Sequence, residues 1–237
     1  MKKRILSILL LCCMVLTLLP TTVLAADGPM DTIPKYDVSI DVYNRTSDIS
    51  IKDSRSYYIY SSVPDKLRDT WAWDKKIFIK GDKTAPHVFI DGVNIEMSPS
   101  SKGPAIELNK KASAYIYFIG KNSSLQGADG RAAIQKNRSE GQLYVLARTG
   151  TTVTCKGGDK AAGIGGSYAT RNIFNGYYNG DMYGHGVNMH FGSRSNPDYW
   201  GGTINATGGE YGAGIGAGSW GHSGHSGNTI HGGAGER

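Results

Sequence analysis

The chain has 237 residues and a formal net charge of +6, with 33 glycines and only three cysteines. Residues 1–25 have the basic start, the apolar run and the small residues before Ala26 that are typical of a secretory signal peptide. The apolar run is shorter than the roughly 20 residues that a membrane-spanning helix needs, which favours cleavage over an uncleaved anchor. Removal of this segment leaves a charge of about +3, too weak to indicate nucleic-acid binding, and a single thiol, Cys155, which excludes a disulfide framework. We therefore expect a secreted or cell-surface protein with no membrane contact after signal cleavage.

Residues 26–87 form a region that precedes the clearest repeats. Alternating apolar residues predict short strands in this region, at residues 37–41, 57–60 and 77–79. The connecting residues 64–76 contain Trp71 and Trp73. We expect this segment to cover the open end of the core, because a repetitive fold needs a cap there, and ligand binding by the two tryptophans is the alternative.

Residues 88–237 are built on an internal repeat. Residues 152–158 and 162–165 return 51 positions later as residues 203–209 and 213–216. An isoleucine that follows a small residue two positions earlier recurs at Ile106, Ile134, Ile164 and Ile215. The first two intervals are 28 and 30 residues, so the third, of 51 residues, is one interval with an insertion within residues 167–200.

The repeat predicts an all-β fold, a right-handed parallel β-helix of about 28–30 residues per turn. Each interval contains about three short alternating strands joined by glycine, asparagine or charged turns. Glycine suits the sharp corners of such a coil, where φ is often positive. In this register Cys155 aligns with Ala206 and faces inward as an inert buried thiol. A dinucleotide-binding loop at residues 214–216 is excluded, because no helix pattern follows it.

Residues 203–209 followed by residues 212–216 resemble the repeat of a known group of proteins. These are the secreted bacterial right-handed β-helix proteins labelled carbohydrate-binding-domain or adhesin-like surface proteins, which are similar in architecture to pectate lyases. The resemblance covers about residues 88–218. It implies a pectate-lyase-like solenoid, a cell-surface or extracellular role, and contact with a polysaccharide or surface glycan.

The insertion at residues 167–200 provides the main candidate binding site. Sugar rings stack on aromatic side chains, and their hydroxyl groups bind polar and charged ones. The candidate ligand-binding residues are Arg171, Tyr177, Tyr178, Tyr183, Arg194, Tyr199 and Trp200, together with Trp71 and Trp73. The alternative is that the aromatic residues cover the flank of the coil, with Val187, Met189 and Phe191 forming one strand of the turn.

Catalytic and metal sites have little support in the sequence. Of the motifs of polygalacturonase-like enzymes, residues 184–186 (Gly-His-Gly) are present alone, and the acidic residues are scattered. The late histidines His185, His190, His222, His225 and His231 are expected to be solvated. Calcium stays open as a ligand, although no motif supports it. We therefore predict a non-enzymatic carbohydrate-binding or adhesin-like module without a cofactor. The alternatives are a polysaccharide lyase or hydrolase, and a purely structural stalk of a longer surface protein.

The last residues of the chain predict an incomplete coil. Residues 228–233 resemble the start of another repeat strand, and no capping pattern follows them. An uncovered final turn leaves strand edges without partners, so we expect end-to-end self-association.

Overall fold

The structure is a computed structural model. It describes residues 34–81, 83–101, 103–109, 111–136, 140–174, 177–178, 186–192, 199–223 and 230–232. For the strands within residues 169–178, 220–223 and 230–232, the description covers the backbone only. The predicted signal peptide lies outside the described residues. None of the helices in this part of the chain has the length and apolar character of a transmembrane segment.

Short strands make up almost all of the described secondary structure. In chain order they are β1 (Val38–Asp41), β2 (Ile49–Ile51), β3 (Ser56–Tyr60), β4 (Ile77–Lys80), β5 (His87–Asp91), β6 (Asn94–Glu96), β7 (Ile106–Asn109), β8 (Ala114–Ile119), β9 (Ser123–Gln126), β10 (Ile134–Lys136), β11 (Leu143–Ala147), β12 (Thr152–Lys156), β13 (Ile164–Gly165), β14 (Ala169–Phe174), β15 (Tyr177–Tyr178), β16 (Met189–Phe191), β17 (Thr203–Thr207), β18 (Ile215–Gly216), β19 (Ser219–Ser223) and β20 (Ile230–Gly232). Two single 3₁₀ turns lie at Asp65–Leu67 and Pro99–Ser101.

Three parallel sheets form the faces of a coil. Sheet A has the order β1-β3-β5-β8-β11-β16, sheet B has the order β2-β4-β7-β10-β13-β18, and sheet C has the order β6-β9-β12-β17. The chain visits them in the order A, C, B, so β5, β6 and β7 make one complete turn, and further complete turns begin at β8, β11 and β16. Each strand pairs in parallel with its equivalent one turn away. This topology confirms the predicted parallel β-helix.

The predicted isoleucine stack lies in sheet B. Ile106 pairs with Ile134, Ile134 with Ile164, and Ile164 with Ile215, so the register read from the repeat is confirmed. Burial differs along this column. Ile164 is fully buried, whereas Ile215 is 46% exposed, because β18 is the terminal strand of sheet B and no described strand covers its outer side.

Cys155 occupies the inward position that the repeat predicts for it. It pairs with Ala206 in sheet C, two residues after the pair Val153 and Ile204. The thiol lies in the main hydrophobic core with no exposed surface. Burial raises the pKa of Cys155 to about 12, so the thiol stays protonated and unreactive.

The coil begins before residue 88, so the predicted boundary is too late. Val38 already pairs with Tyr57 in sheet A, and Tyr57 pairs with Val88. Ile49 likewise pairs with Ile77 in sheet B. The first turns lack the glycine-rich signature that marks the later ones, and a long connection replaces most of their sheet C strand. The alternating residues therefore predicted strands there without showing that they belong to the coil.

The insertion at residues 167–200 contains an outgrowth and one strand of the coil. β14 and β15 form an antiparallel hairpin, and β14 pairs in parallel with β19, which itself pairs in antiparallel with β20. These strands form a separate sheet of the order β15-β14-β19-β20. β16 then returns to sheet A beside β11, so Met189 and Phe191 belong to a coil strand, as in the alternative to a binding site, although this strand is the first of its turn. The prediction of a further coil strand at residues 228–233 is wrong, because β20 belongs to the outgrowth and runs antiparallel to its neighbour.

The interior of the coil is a continuous aliphatic core. Alternation along each strand turns every second side chain inward, and stacking brings equivalent side chains together between turns. Large side chains that are fully buried in this core include Ile51, Ile59, Ile77, Ile79, Ile90, Ile95, Ile106, Ile116, Phe118, Leu125, Ile134 and Ile164. The other half of the side chains faces outward, so the functional surfaces of this fold are the outer faces of its sheets.

Candidate functional site

The outer face of sheet C carries polar side chains in register. Asn94 pairs with Ser124, Ser124 with Thr154, and Thr154 with Asn205, so one polar side chain stands at this position on each of four turns. Neighbouring parallel strands are about 4.8 Å apart, so the column offers hydrogen-bonding groups at regular spacing. The inward residues next to them include Ile95, Leu125 and Val153, whose burial in the core turns the polar residues outward.

A folded connection stands beside this face as a wall. It comprises residues 64–70, which include the 3₁₀ turn Asp65–Leu67, and leads from sheet A towards Trp73. Arg68 Nη1 donates to the carbonyl oxygen of Gly92 at 3.0 Å, and its Nη2 donates to that of Val63 at 3.2 Å. Asn94 Nδ2 donates to the carbonyl oxygen of Arg68 at 2.9 Å. The bonds to Gly92 and from Asn94 hold the wall against β6, the sheet C strand of the next turn.

Two glycines form the corners against which the wall packs. Gly92 has φ +61° and Gly120 has φ +65°, a backbone conformation that other residues adopt only with strain. A Cβ atom on Gly92 would lie 2.6 Å from Arg68 Nη1, and a Cβ atom on Gly120 would collide with the carboxylate of Asp91. Both corners therefore need glycine for the turn itself and for the close approach of a polar side chain.

A charged bridge joins the wall to the next corner. Lys121 Nζ lies 2.7 Å from Asp65 Oδ1, and Arg68 Nη2 lies 3.3 Å from the same oxygen. The hydrogen bond from Lys121, supported by that from Arg68, lowers the pKa of Asp65 below its ordinary value. Asp65 is therefore ionised at neutral pH. Lys121 is itself positioned by its backbone N–H, which donates to Asp91 Oδ1 at 2.8 Å.

The polar column, the wall and the corner enclose a groove of about 620 Å³, which we call the sheet C groove. Its lining residues are Asp65, Arg68, Asp69, Asn94, Gly120, Lys121, Asn122, Ser123, Ser124, Thr152 and Thr154. Every lining side chain is polar or charged, and none is aromatic. The groove is therefore suited to a ligand that is recognised through hydrogen bonds rather than through an apolar face.

The lining amides have different roles. Asn94 is used at both ends, because its Oδ1 accepts from the N–H of Ser124 at 3.0 Å while its Nδ2 holds the wall. Asn122 Oδ1 accepts from the N–H of Thr152 at 2.8 Å, which leaves its Nδ2 without a partner among the described residues. The hydroxyl groups of Ser124 and Thr154 likewise bond to no described residue, so these groups remain for a ligand.

The outer face of sheet A carries a column of stacked rings. The ring centroids of His87 and Tyr115 are 4.7 Å apart with an interplanar angle of 4°. The corresponding values are 4.5 Å and 7° for Tyr115 and Tyr144, and 4.5 Å and 15° for Tyr144 and His190. The sheet register places these residues directly beside one another. Their faces are covered by each other, so the column stabilises the contact between turns and offers mainly ring edges to a ligand.

A second aromatic cluster on sheet A contains two of the predicted site residues. Trp200 lies 5.1 Å from the ring of Tyr117, and Tyr199 packs edge-on against Trp200 at 4.6 Å. With Tyr117, Trp200 covers a small hydrophobic cluster that includes Phe89. Burial raises the pKa of Tyr117 to about 12, and His87 Nδ1 shares a hydrogen bond of 3.0 Å with its hydroxyl group. Trp200 thus has the flank-covering arrangement that the sequence left as an alternative to binding.

Two further predicted site residues, Trp71 and Trp73, belong to the connection that precedes β4 and pack at the main core. Trp73 is 3% exposed, donates from Nε1 to the carbonyl oxygen of Arg45 at 2.7 Å, and forms a parallel bridge with Ile95 as the first rung of sheet C. Its ring lies in the core and is closed to a ligand. Trp71 is half-buried against the same core, with its ring edge-on to Tyr43.

Five predicted site residues belong to the insertion beyond β13. Arg171 lies in β14, and Tyr177 and Tyr178 form β15, where the description is limited to the backbone. Tyr183 and Arg194 lie outside the described residues. Among the predicted site residues whose side chains are described, which are Trp71, Trp73, Tyr199 and Trp200, none lines the sheet C groove.

Sequence reasoning missed the groove because its signal is weak. The outward positions of the predicted sheet C strands are Asn94, Ser124 and Thr154, and alternation alone could have identified them as one polar column. Nothing local indicates that the connection at residues 64–70 folds back over that column. This depends on hydrogen bonds from Arg68 to a corner 24 residues further along the chain.

The part of the chain that the structure describes contains no candidate metal site. No group of three or more His, Cys, Asp or Glu side chains is placed to hold an ion there. His190 ends the aromatic column, where its Nε2 shares a hydrogen bond of 2.6 Å with Gln142 Oε1. His185 and His225 lie outside the described residues.

No protein-family model matches this chain, and the searches of curated proteins and of solved structures find no significant match either.

Proposed function

We propose that this chain is an exported, non-enzymatic module that binds carbohydrate in the sheet C groove. The observation that carries the proposal is the groove itself, an open cavity of about 620 Å³ in which every lining residue that has a side chain is of a polar or charged type. A saccharide presents many hydroxyl groups that donate and accept hydrogen bonds. The groove supplies matching partners in an amide, several hydroxyl groups and a carboxylate.

The regular arrangement of these groups favours a polymeric ligand. Ser124 and Thr154 present hydroxyl groups on successive turns, about 4.8 Å apart. The wall is fixed to the coil by Arg68 and Asn94, so the groove is largely formed before a ligand arrives. A preformed site loses less conformational entropy on binding than a mobile one.

The role outside the cell rests on the sequence of residues 1–25 and on the resemblance to secreted β-helix proteins. The low cysteine content suits a solenoid, because each turn is held by its neighbours through packing and backbone hydrogen bonds. Expression with and without residues 1–25 in a bacterial host tests this part of the proposal. The intact chain should be exported and shortened, and the chain without the segment should stay inside the cell.

A polysaccharide lyase or hydrolase is the competing interpretation. Glycoside hydrolysis needs a carboxylic acid that is protonated near neutral pH, and such a group requires a raised pKa. Asp65 has the opposite shift, because Lys121 and Arg68 stabilise its ionised form. Asp65 is therefore unsuited to be the general acid of a hydrolase. We propose that the groove binds its ligand without cleaving it, and we expect no reducing ends or unsaturated products from incubated polysaccharides.

The decisive experiment compares two outward threonines of sheet C. A glycan array and titration calorimetry with the signal-free chain should identify bound glycans. Thr154→Leu removes a hydroxyl group from the groove and should weaken binding about three- to tenfold, the value of one hydrogen bond. Thr207→Leu makes the same change on the same face outside the groove and should have no effect. Absence of glycan binding, or equal effects of the two substitutions, would overturn the proposal.

A further inference from the structure

We infer that the sheet C groove selects against acidic glycans, and that Asp69 is the residue that sets this selectivity. The inference rests on the proposed function and specifies its ligand class. It follows from the charges in the groove, where two cations, Arg68 and Lys121, face two carboxylates, Asp65 and Asp69. These groups differ in how far each is already neutralised by the protein.

The guanidinium of Arg68 is occupied by the protein. Its Nη1 and Nη2 donate to the carbonyl oxygens of Gly92 and Val63, and Nε and Nη2 both face Asp65 Oδ1, at 3.4 and 3.3 Å. Only 16% of its side chain is exposed. An anionic ligand would have to displace backbone carbonyls to form a bidentate pair, so Arg68 serves to build the wall rather than to receive a carboxylate.

Lys121 is the more accessible cation, but it is paired. Its ammonium group lies 2.7 Å from Asp65 Oδ1, and the side chain is 55% exposed. An acidic sugar that approached the ammonium group would also approach the carboxylate of Asp65, which stays ionised because its pKa is lowered. The attraction and the repulsion then largely cancel.

Asp69 is the charge that remains. Its side chain is exposed on the wall, lines the groove, and forms no ion pair or hydrogen bond with another described residue. The carboxylate can accept hydrogen bonds from the hydroxyl groups of a neutral sugar. A uronate or sulfate at the same place would be repelled by this like charge, whereas Arg68, the cation that balances Asp69 in the groove, is mostly buried and directed at backbone carbonyl oxygens. The groove therefore opposes the attraction that the basic chain as a whole exerts on anions.

The test uses matched forms of each ligand. Soluble oligosaccharides of cellulose, xylan, galactan and chitin types are measured by calorimetry beside acidic forms of the same backbones, either oxidised to carboxylates or sulfated. The wild-type chain should bind the neutral form at least about tenfold more tightly at low salt, and the difference should shrink at high salt, because screening weakens interactions between exposed charges.

Two substitutions that change the charge equally test whether Asp69 causes the preference for neutral ligands. Asp69→Lys should reduce the preference for the neutral form to less than about threefold. Asp74→Lys is the control, because Asp74 is an exposed carboxylate near the wall, paired with Lys75 and outside the groove lining. Both variants should keep the wild-type circular dichroism and melting temperature. A wild-type preference for the acidic forms, or an equal shift in the two variants, would overturn the inference while the proposed function stands. Failure to bind any form would overturn both.

Discussion

The isoleucine stack of sheet B gives the sharpest test of the fold, because one substitution can be made at two equivalent positions. Ile164→Ala and Ile215→Ala change the same residue in the same glycine-rich motif, at adjacent rungs of one column. Ile164 is fully buried between Ile134 and Ile215, whereas Ile215 is 46% exposed at the terminal strand. The two substitutions therefore differ in burial and hardly at all in chemistry.

The expected magnitudes follow from the lost contacts. Isoleucine to alanine removes about three carbon groups, worth roughly 0.8 kcal/mol each when fully buried. At Ile164 the closed cavity adds to this loss, so the free energy of unfolding should fall by about 2–5 kcal/mol. At Ile215 roughly half of the transfer energy is lost and no closed cavity forms, so the fall should be about 1 kcal/mol.

Urea denaturation followed by circular dichroism measures both values. The comparison is valid where the slope of free energy against urea is the same for both variants, because a changed slope indicates a change in the denatured state or in cooperativity. Equal destabilisation at the two positions, or a larger effect at Ile215, would refute the assignment of Ile164 to the interior and Ile215 to an open end.

Two further predictions concern a buried amine and the aromatic cover of sheet A. Burial lowers the pKa of Lys136 from 10.5 to about 8, so the unfolded chain binds more protons between these values, and stability should rise with pH over that window. The urea midpoint of the wild-type chain should therefore rise between about pH 8 and about pH 9.5, and Lys136→Met should remove most of that rise. A wild-type midpoint that falls over this range would contradict the prediction. Trp200→Ala should lower stability by about 1–3 kcal/mol through loss of its contact with Tyr117, with Tyr211→Ala as the exposed control. Loss of glycan binding in Trp200→Ala would instead favour an aromatic site.

Much of the coil could be predicted from sequence because the register of each strand depends only on the equivalent strands in the two neighbouring turns. Once the repeat aligned Cys155 with Ala206 and Ile164 with Ile215, the strand pairs followed directly, since each strand contacts only its equivalents in the neighbouring turns. Exposure was less predictable. The motif at Ile215 is the same as that at Ile164, and only the position in the stack decides whether a neighbour covers it.

The candidate site could not be predicted to the same extent, because it depends on contacts between turns. Aromatic content pointed to Trp200 and Trp73, but one covers a flank and the other fills the core. The groove arises where Arg68 reaches a corner in the next turn and Asp65 reaches Lys121 two turns away. Such contacts have no periodic signature, since they belong to a single connection and not to the repeat.

The outgrowth of strands β14, β15, β19 and β20 limits how the molecule can be extended. The parallel pair of β14 and β19 continues the register of the coil outwards, so successive turns carry successive hairpins. On its other side, however, β19 already has an antiparallel partner, β20. A strand arriving from a neighbouring turn or a neighbouring molecule would find that side of β19 taken, while the outer sides of β16, β17 and β18 face no described strand. A strand added at this end would therefore find unpaired edges on the three main faces of the coil and none at β19.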